Sequence, residues 1–330
     1  MFVYSADLTL KFRGLTVREG VLMQGPAGWG EFSPFVEYDD RESSSWLRAA
    51  HEAAYLGFPD PVRSSIPVNV TVPAVGAETA HGVVTRSGGC MTAKVKVAEP
   101  GQNLADEIAR LEAVRDAIGP MGKIRIDVNG KWDVDTALAN IPVLDRAAGG
   151  LEYVEQPCAT VPELALVRRR TSVLIAADES IRRAEDPYAV VAADAADVMV
   201  LKVQPIGGVR TCLELAQELG KPVVVSSALE SSVGLAAGIA LAAALPELPF
   251  ACGLATSQLF KRDVVSDPLL PVNGEIPVRR PVPVLQELTG EPTTSGANLA
   301  ASPERVSWWL RRVQRISSQF DIEVPPTQVP

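Results

Sequence analysis

The sequence predicts an α/β protein: a barrel of parallel strands and intervening helices, with a small α+β capping domain built from both chain ends. Three observations carry this expectation. Between residues 66 and 256, eight short β-branched runs alternate with helical patterns, the rhythm of a parallel sheet. The runs are nearly continuous in Val, Ile and Leu, which suits strands buried on both faces. Residues 1–65 and 257–330 break that rhythm at the two ends. Eight strands favour closure into a TIM-like barrel; an open doubly wound sheet is the alternative.

The elements follow in chain order. Residues 1–65 begin as a hairpin (VYSADLTLKF, then REGVLMQGP). The Gly/Pro/aromatic segment GPAGWGEFSPF reads as a loop, and a helix is expected over 45–56. Barrel strands are expected at 67–72, 92–97, 123–128, 151–155, 173–177, 198–203, 222–227 and 250–255. Helices are expected at 103–118, 134–147, 161–170, 184–193, 208–219 and 231–245. In the first of these, Leu104, Ile108, Leu111, Val114 and Ile118 recur at three- and four-residue steps and form one apolar face. Gly207-Gly208 in QPIGGV has the look of a phosphate-binding turn, but no GxGxxG or P-loop accompanies it, so it starts the next helix. Residues 257–330 hold a short strand (GEIPVRR), a Pro-rich stretch and a Thr/Ser/Gly/Asn-rich loop at 289–302. A last helix carries the stripe Val306, Trp309, Leu310, Val313 and Ile316.

The net charge of −9 over 330 residues argues against a nucleic-acid partner and leaves no basic stripe for an anionic membrane. The longest apolar stretch, 233–245, is too short to span a bilayer and reads as a buried helix. The start, MFVYSADLTLKFRG, alternates like a strand and has no signal-peptide core. Cys90, Cys158, Cys212 and Cys252 are far apart and read as buried thiols, not as a disulfide or zinc framework. These features together predict a cytoplasmic protein, with its oligomeric state left open.

Three acids close three consecutive apolar runs: Asp127 in KIRIDVNG, Glu155 in LEYVEQP and Asp178 in VLIAADES. One such acid alone reads as a helix cap. Three brought to one barrel mouth repel each other unless a cation lies between them. Hard oxygen donors, with no thiol or imidazole beside them, select Mg²⁺. Lysines flank the acids: Lys94 and Lys96 in TAKVKVA, and Lys202 in VMVLKVQ. A lysine inside an apolar run needs a task or a partner. Lys96 falls on the second strand and Lys202 on the sixth, which are opposed in a ring of eight. A carboxylate substrate held by the metal would have one amine on each face, an arrangement for taking a proton α to a carboxylate. A Schiff-base role for Lys202 is a rival, but it leaves the three acids unexplained. Arg125 and Asn129 share the parity of Asp127 and are expected to face the mouth. His51 and His81 lie in no strand-end motif and read as surface or packing residues. Glu230 and Ser231 read as helix caps.

KVK, DVN, EQP, ADES and LK, in this order, resemble the enolase superfamily in its muconate-lactonizing-enzyme subgroup. Within that subgroup the chain most resembles the o-succinylbenzoate synthase family. The likeness covers most of the chain, including GWGEFSPF and SSALESSVGL. It implies a (β/α)₇β barrel with an α+β cap, and Mg²⁺ held by Asp127, Glu155 and Asp178. It implies a small-molecule carboxylate substrate, 2-succinyl-6-hydroxy-2,4-cyclohexadiene-1-carboxylate. The implied reaction is syn loss of water to give o-succinylbenzoate, a step of menaquinone (vitamin K2) biosynthesis. Lys96 is then the base, Lys94 its helper near the substrate carboxylate, and Lys202 the stabiliser of the enediolate. Ser226 and Gly253 match positions bordering the succinyl part. FACGLATSQLF lacks the DxD of the dipeptide epimerases. An N-acylamino-acid racemase or a cycloisomerase of the same superfamily is the alternative.

Overall fold

Alternation of apolar and polar side chains builds the first hairpin as expected. In the computed structural model, which describes residues 1–182, 187–289 and 298–325, β1 (Phe2–Phe12) pairs antiparallel with β2 (Leu15–Gly25). They are joined by Arg13 and Gly14, both left-handed at φ 50° and 78°, as a tight two-residue hairpin turn requires. The segment expected as a loop contains a third strand, β3 (Gly28–Phe32), paired antiparallel with β2. Its glycines masked it; burial of Trp29 and Phe32 stabilises it. The following helix starts earlier than 45. α1 (Asp40–His51) begins at the Asp39 cap, which accepts from Glu42 N at 2.8 Å, and continues as a π-helical turn, Glu52–Leu56.

The chain then enters the barrel through β4 (Ser65–Pro67). Seven parallel strands follow in consecutive order: β5 (Val70–Val72), β6 (Thr92–Lys96), β7 (Lys123–Asp127), β8 (Leu151–Glu155), β9 (Ile175–Ala177), β10 (Val198–Leu201) and β11 (Val223–Val225). The eighth run is shorter than expected. It is reduced to two bridges, Val68 with Cys252 and Ser226 with Gly253. Those bridges still close the ring. Cys252 N donates to Pro67 O at 2.8 Å, and Gly253 N donates to Val225 O at 2.8 Å.

The connections are helical: α2 (Ala77–Thr85), α3 (Leu104–Ile118), α4 (Val134–Ala148), α5 (Val161–Arg168), α6 (Glu179–Arg182), α7 (Ala189–Ala192), α8 (Val203–Ile206), α9 (Val209–Leu219) and α10 (Ser232–Ala244). The sequence rhythm predicts no helix at α2, α6 or α8. The helix expected at 184–193 is represented by α7 alone, and 183–186 lie outside the described residues. After the barrel come β12 (Glu275–Pro277), antiparallel to β4, then α11 (Leu285–Leu288) and α12 (Pro303–Phe320). Most of the loop expected at 289–302 (290–297) lies outside the described residues.

Strand parity sorts the barrel. Ala93, Val95, Ile124, Ile126, Val154, Met199, Leu201, Val223 and Val225 point outward into the layer shared with the helices. Tyr153, Ala176, Val198, Val200 and Val224 point inward and fill the lower barrel with Phe250. The next inward layer is polar. The chain ends share one apolar core: Trp309, Leu310, Val313 and Ile316 of α12 pack with Val3, Val21, Met23, Phe32 and Trp46. Among the described residues no helix is long and apolar enough to cross a membrane.

Two buried glutamates of the N-terminal segment hold the cap on the barrel by accepting from the first N–H groups of two barrel helices. Glu52 accepts from Val209 N at 2.5 Å and Arg210 N at 3.2 Å, at the start of α9. Gly208, at φ 140°, makes this possible, because a Cβ there would lie 2.5 Å from Glu52 Oε2. Glu31 accepts from Ser231 N at 3.3 Å and Gly234 N at 3.0 Å, at the start of α10. The site that reads as a phosphate turn thus receives a carboxylate of the same chain. Glu52→Ala is expected to destabilise the fold by about 1–3 kcal/mol through the uncapped α9 amides. Chemical denaturation checks it, and an unchanged midpoint would remove Glu52 as a clamp.

Candidate active site

Ladder register builds the site. Lys96, Asp127 and Glu155 are successive Cα partners across β6, β7 and β8, so they share one rung. Parity turns all three inward, together with Lys94 one layer below Lys96. Asp178 and Lys202 stand one residue beyond the ends of β9 and β10. The three acids are fully buried.

The lysines bridge the acids. Lys94 Nζ donates to Asp127 Oδ2 at 3.0 Å and to Glu155 Oε1 at 2.8 Å. Lys96 Nζ donates to Asp127 Oδ2 at 2.6 Å and to Asn129 Oδ1 at 2.7 Å. Lys202 Nζ donates to Asp178 Oδ2 at 2.6 Å. Burial pulls the Lys94 pKa down, but Asp127 and Glu155 together outweigh it and hold it well above the ordinary range. Burial lowers Lys202, and Asp178 offsets part of that. Burial raises Asp127, but Lys94 and Lys96 bring it well below the usual carboxylate range. Glu155 is pushed up to about 7, by burial first and then by the Asp127 charge. Asp178 is held low, with Arg182 and Lys202 overriding burial.

Around these groups lie side chains to which sequence reasoning gave no role. Gln156, next to Glu155, uses its whole amide. Its Oε1 accepts from Asp178 N at 2.9 Å and Ser180 N at 3.2 Å, and its Nε2 donates to Cys158 O and Ser180 Oγ. Glu179 Oε1 accepts from Asn129 Nδ2 at 3.2 Å and Arg182 Nη2 at 2.7 Å. Arg182 Nε also donates to Asp178 Oδ1 at 2.9 Å. Gln156 and Glu179 lie within EQP and ADES, each next to the acid of its motif. No local signal pointed to Arg182.

Asn129 does reach the mouth, between Lys96 and Glu179. Arg125 does not. It points inward, but one layer down: Nε pairs with Glu152 Oε2 at 2.5 Å, Nη1 donates to Asn69 Oδ1 and Ala251 O, and the guanidinium lies over Tyr153. Shared parity gives a direction but not a depth, and two residues down a strand is about 6.6 Å. Ser226 and Gly253 meet at the closing bridge, where a Cβ on Gly253 would lie 2.6 Å from Ser226 Oγ. Ser231 caps α10 as expected, and Glu230 accepts from Ala228 N. His51 stacks on Tyr55, and His81 lies exposed near Asp116.

Among the described residues no three acids, histidines or cysteines already surround one point at metal-ligand spacing; ammonium groups lie between the acids instead. The donor chemistry nevertheless fits a hard divalent cation. All three acids offer buried carboxylate oxygens, Glu155 is strained by a neighbouring carboxylate, and Glu179 Oε2 is buried without a hydrogen-bond partner.

The pattern of the family described as enolase C-terminal domain-like matches residues 77–283, and that of enolase N-terminal domain-like matches 3–54. The chain is 64% identical over 309 residues to an o-succinylbenzoate synthase of Thermobifida fusca, covering 92% of this chain and 96% of the relative. It is 52% identical over 313 residues to that of Mycolicibacterium smegmatis, covering 95% and 94%. Among solved structures it is similar to the L-Ala-D/L-Glu epimerase of Bacillus subtilis, with a TM-score of 0.73 at 22% identity over 85% of this chain and 95% of that one. A muconate lactonizing enzyme of Pseudomonas fluorescens gives a TM-score of 0.72 at 19% identity, covering 93% and 97%. These structural likenesses speak to the fold alone.

Gly253→Ala is expected to displace the Ser226 hydroxyl while leaving the barrel folded. A misplacement of about 1 Å in such a site can lower kcat/KM by up to about 100-fold. Steady-state kinetics beside a melting curve check it; unchanged kinetics would remove the Ser226–Gly253 pair from the site.

Proposed function

The chain belongs to the enolase superfamily and, within it, to the o-succinylbenzoate synthase family, and on that footing we propose how its barrel mouth eliminates water. The substrate is 2-succinyl-6-hydroxy-2,4-cyclohexadiene-1-carboxylate, and the product, o-succinylbenzoate, feeds menaquinone synthesis. The observation that carries the reading is the shared rung of Lys96, Asp127 and Glu155, with Lys202 held against Asp178 on the far side.

Asp127, Glu155 and Asp178 are the residues that would hold the divalent cation. The oxygen-only set favours Mg²⁺. When bound, the ion supplies positive charge beside the substrate carboxylate and so acidifies the α-proton.

Lys96 takes that proton. To act as a base its amine must be neutral, and its direct carboxylate contact is Asp127. Lys94 stays an ammonium, because two carboxylates keep its proton, and it faces the substrate carboxylate as a fixed positive charge. Lys202 lies across the mouth and stabilises the enediolate. In a syn elimination the hydroxyl leaves from the face that lost the proton, so Lys96 returns its proton to the departing oxygen. One C–H and one C–O bond break, the ring becomes aromatic, and the lysine is restored. Ser226, Gly253 and Asn129 border the substrate. Residues 66–256 form the catalytic barrel, and 1–65 with 257–330 form the cap. We place the reaction in the cytoplasm, whose reducing conditions suit four unpaired buried thiols.

Lys96→Ala is expected to lower turnover by about 10²–10⁴-fold, the usual worth of a positioned general base, with Mg²⁺ binding retained. EDTA should abolish dehydration of the cyclohexadiene carboxylate and Mg²⁺ restore it. Near-normal dehydration by the variant, or racemisation of N-acylamino acids with no dehydration by the unmodified enzyme, would sink this reading.

A further inference from the structure

We propose that Arg182 is a positioning residue of this site and that, through Tyr38, it couples the carboxylate of Asp178 to the capping hairpin. The inference rests on the reading of Asp178 as a metal ligand.

The argument starts from one guanidinium. The Arg182 side chain is 4% exposed. Nε donates to Asp178 Oδ1 at 2.9 Å, Nη2 to Glu179 Oε1 at 2.7 Å and Nη1 to the Tyr38 hydroxyl at 3.3 Å. Asp178 is thereby fixed on both oxygens, since its Oδ2 accepts from Lys202. Glu179 in turn holds Asn129, which holds Lys96. The three bonds radiate from one rigid planar fork, which a lysine's single nitrogen does not reproduce. Removing the fork would free two carboxylates at once, one on each branch of a hydrogen-bonded chain that runs from Lys96 to Lys202.

Tyr38 carries the link out of the barrel. It belongs to the segment between β3 and α1, and its ring is wedged edge-on against Phe35 and Trp46, with centroids 5.4 and 6.1 Å away. Its hydroxyl also accepts from Arg13 Nη2 at 3.0 Å. Arg13 is the first residue of the β1–β2 turn, and its guanidinium lies 4.0 Å from the Phe35 ring centre. The preceding residue, Phe12, sets its ring 5.8 Å from Lys96 Nζ. The hairpin tip therefore touches the site twice: directly over Lys96, and through Tyr38 and Arg182 on Asp178. Two guanidiniums share one phenol oxygen, which is tolerable because each also has acids: Glu37 at 3.7 Å for Arg13, and Asp178 and Glu179 for Arg182. Moving the hairpin pulls on the same oxygen that orients Arg182, so hairpin position and Asp178 geometry are coupled. Coupling of this kind is reciprocal.

The test uses Arg182→Lys and Tyr38→Phe in the full chain, the second removing only the hydroxyl oxygen. Mg²⁺ affinity is measured by calorimetry without substrate, beside the melting temperature of EDTA-treated protein. Backbone amide exchange over residues 12–16 is followed with and without Mg²⁺. Arg182→Lys is expected to weaken Mg²⁺ binding about tenfold, the usual effect of losing a partner behind a metal ligand. Tyr38→Phe is expected to weaken it less, with its metal-free melting unchanged. In the unmodified enzyme Mg²⁺ should slow exchange at the hairpin, and Tyr38→Phe should abolish that slowing. A purely structural role would lower melting and leave affinity alone. Unchanged Mg²⁺ affinity in both variants, or hairpin protection that persists in Tyr38→Phe, would overturn the proposal. Failure of the unmodified enzyme to bind Mg²⁺ would overturn the ligand assignment first, and this inference with it.

Discussion

Charge burial is the constraint on which the rest of this structure depends. Asp127, Glu155, Asp178 and Glu179 crowd the top of one barrel, and an unpaired buried carboxylate costs several kcal/mol. The compensation comes from Lys94, Lys96 and Lys202, each reaching across from another strand, and from Arg182, one helical turn after Asp178. The pairs that neutralise the site therefore also tie neighbouring strand ends together. An apolar barrel top would be cheaper to fold. A polar one with its amines already in place leaves little reorganisation to be done when charge develops on a substrate.

The cap follows from the same constraint. Charges at a strand end interact strongly only where water is kept away. The barrel cannot exclude water from its own mouth, so both chain ends fold over it around α12 and the three-stranded sheet. Glu31 and Glu52 then use the mouth-side ends of α9 and α10, whose first N–H groups have no helical partner. Two orphaned sets of donors on the barrel become the attachment points of the cap.

Much of this was legible in the sequence because it rests on parity and rhythm. Alternation along TAKVKVA and KIRIDVNG separates inward polar from outward apolar residues, and the repeat of strand and helix orders the ring. What escaped is what those periods do not encode. β3 is written in glycines and aromatics, whose strand pairing depends on α1 and α12 lying over it. The eighth run, FACGLA, reads as a full strand but is reduced to two bridges, Val68 with Cys252 and Ser226 with Gly253. Arg125 shares the parity of Asp127 but not its height. Arg182 and Tyr38 are 144 residues apart, and nothing local in either segment announces that they meet.

The KVK motif shows how position alone separates two identical side chains. Lys94 and Lys96 face the same way from one strand, two residues apart. The deeper one is clasped by Asp127 and Glu155, and that double contact keeps its proton against the pull of burial. Its side chain is 7% exposed, while that of Lys96 is 20% exposed, with one carboxylate and one amide as partners. A base must surrender its proton and then reach a substrate. Lys94 is clasped between two carboxylates, whereas Lys96 stands at the more open side of the site. The rung that aligns Lys96 with Asp127 and Glu155 thus leaves the doubly paired ammonium below it and sets the more exposed amine on it.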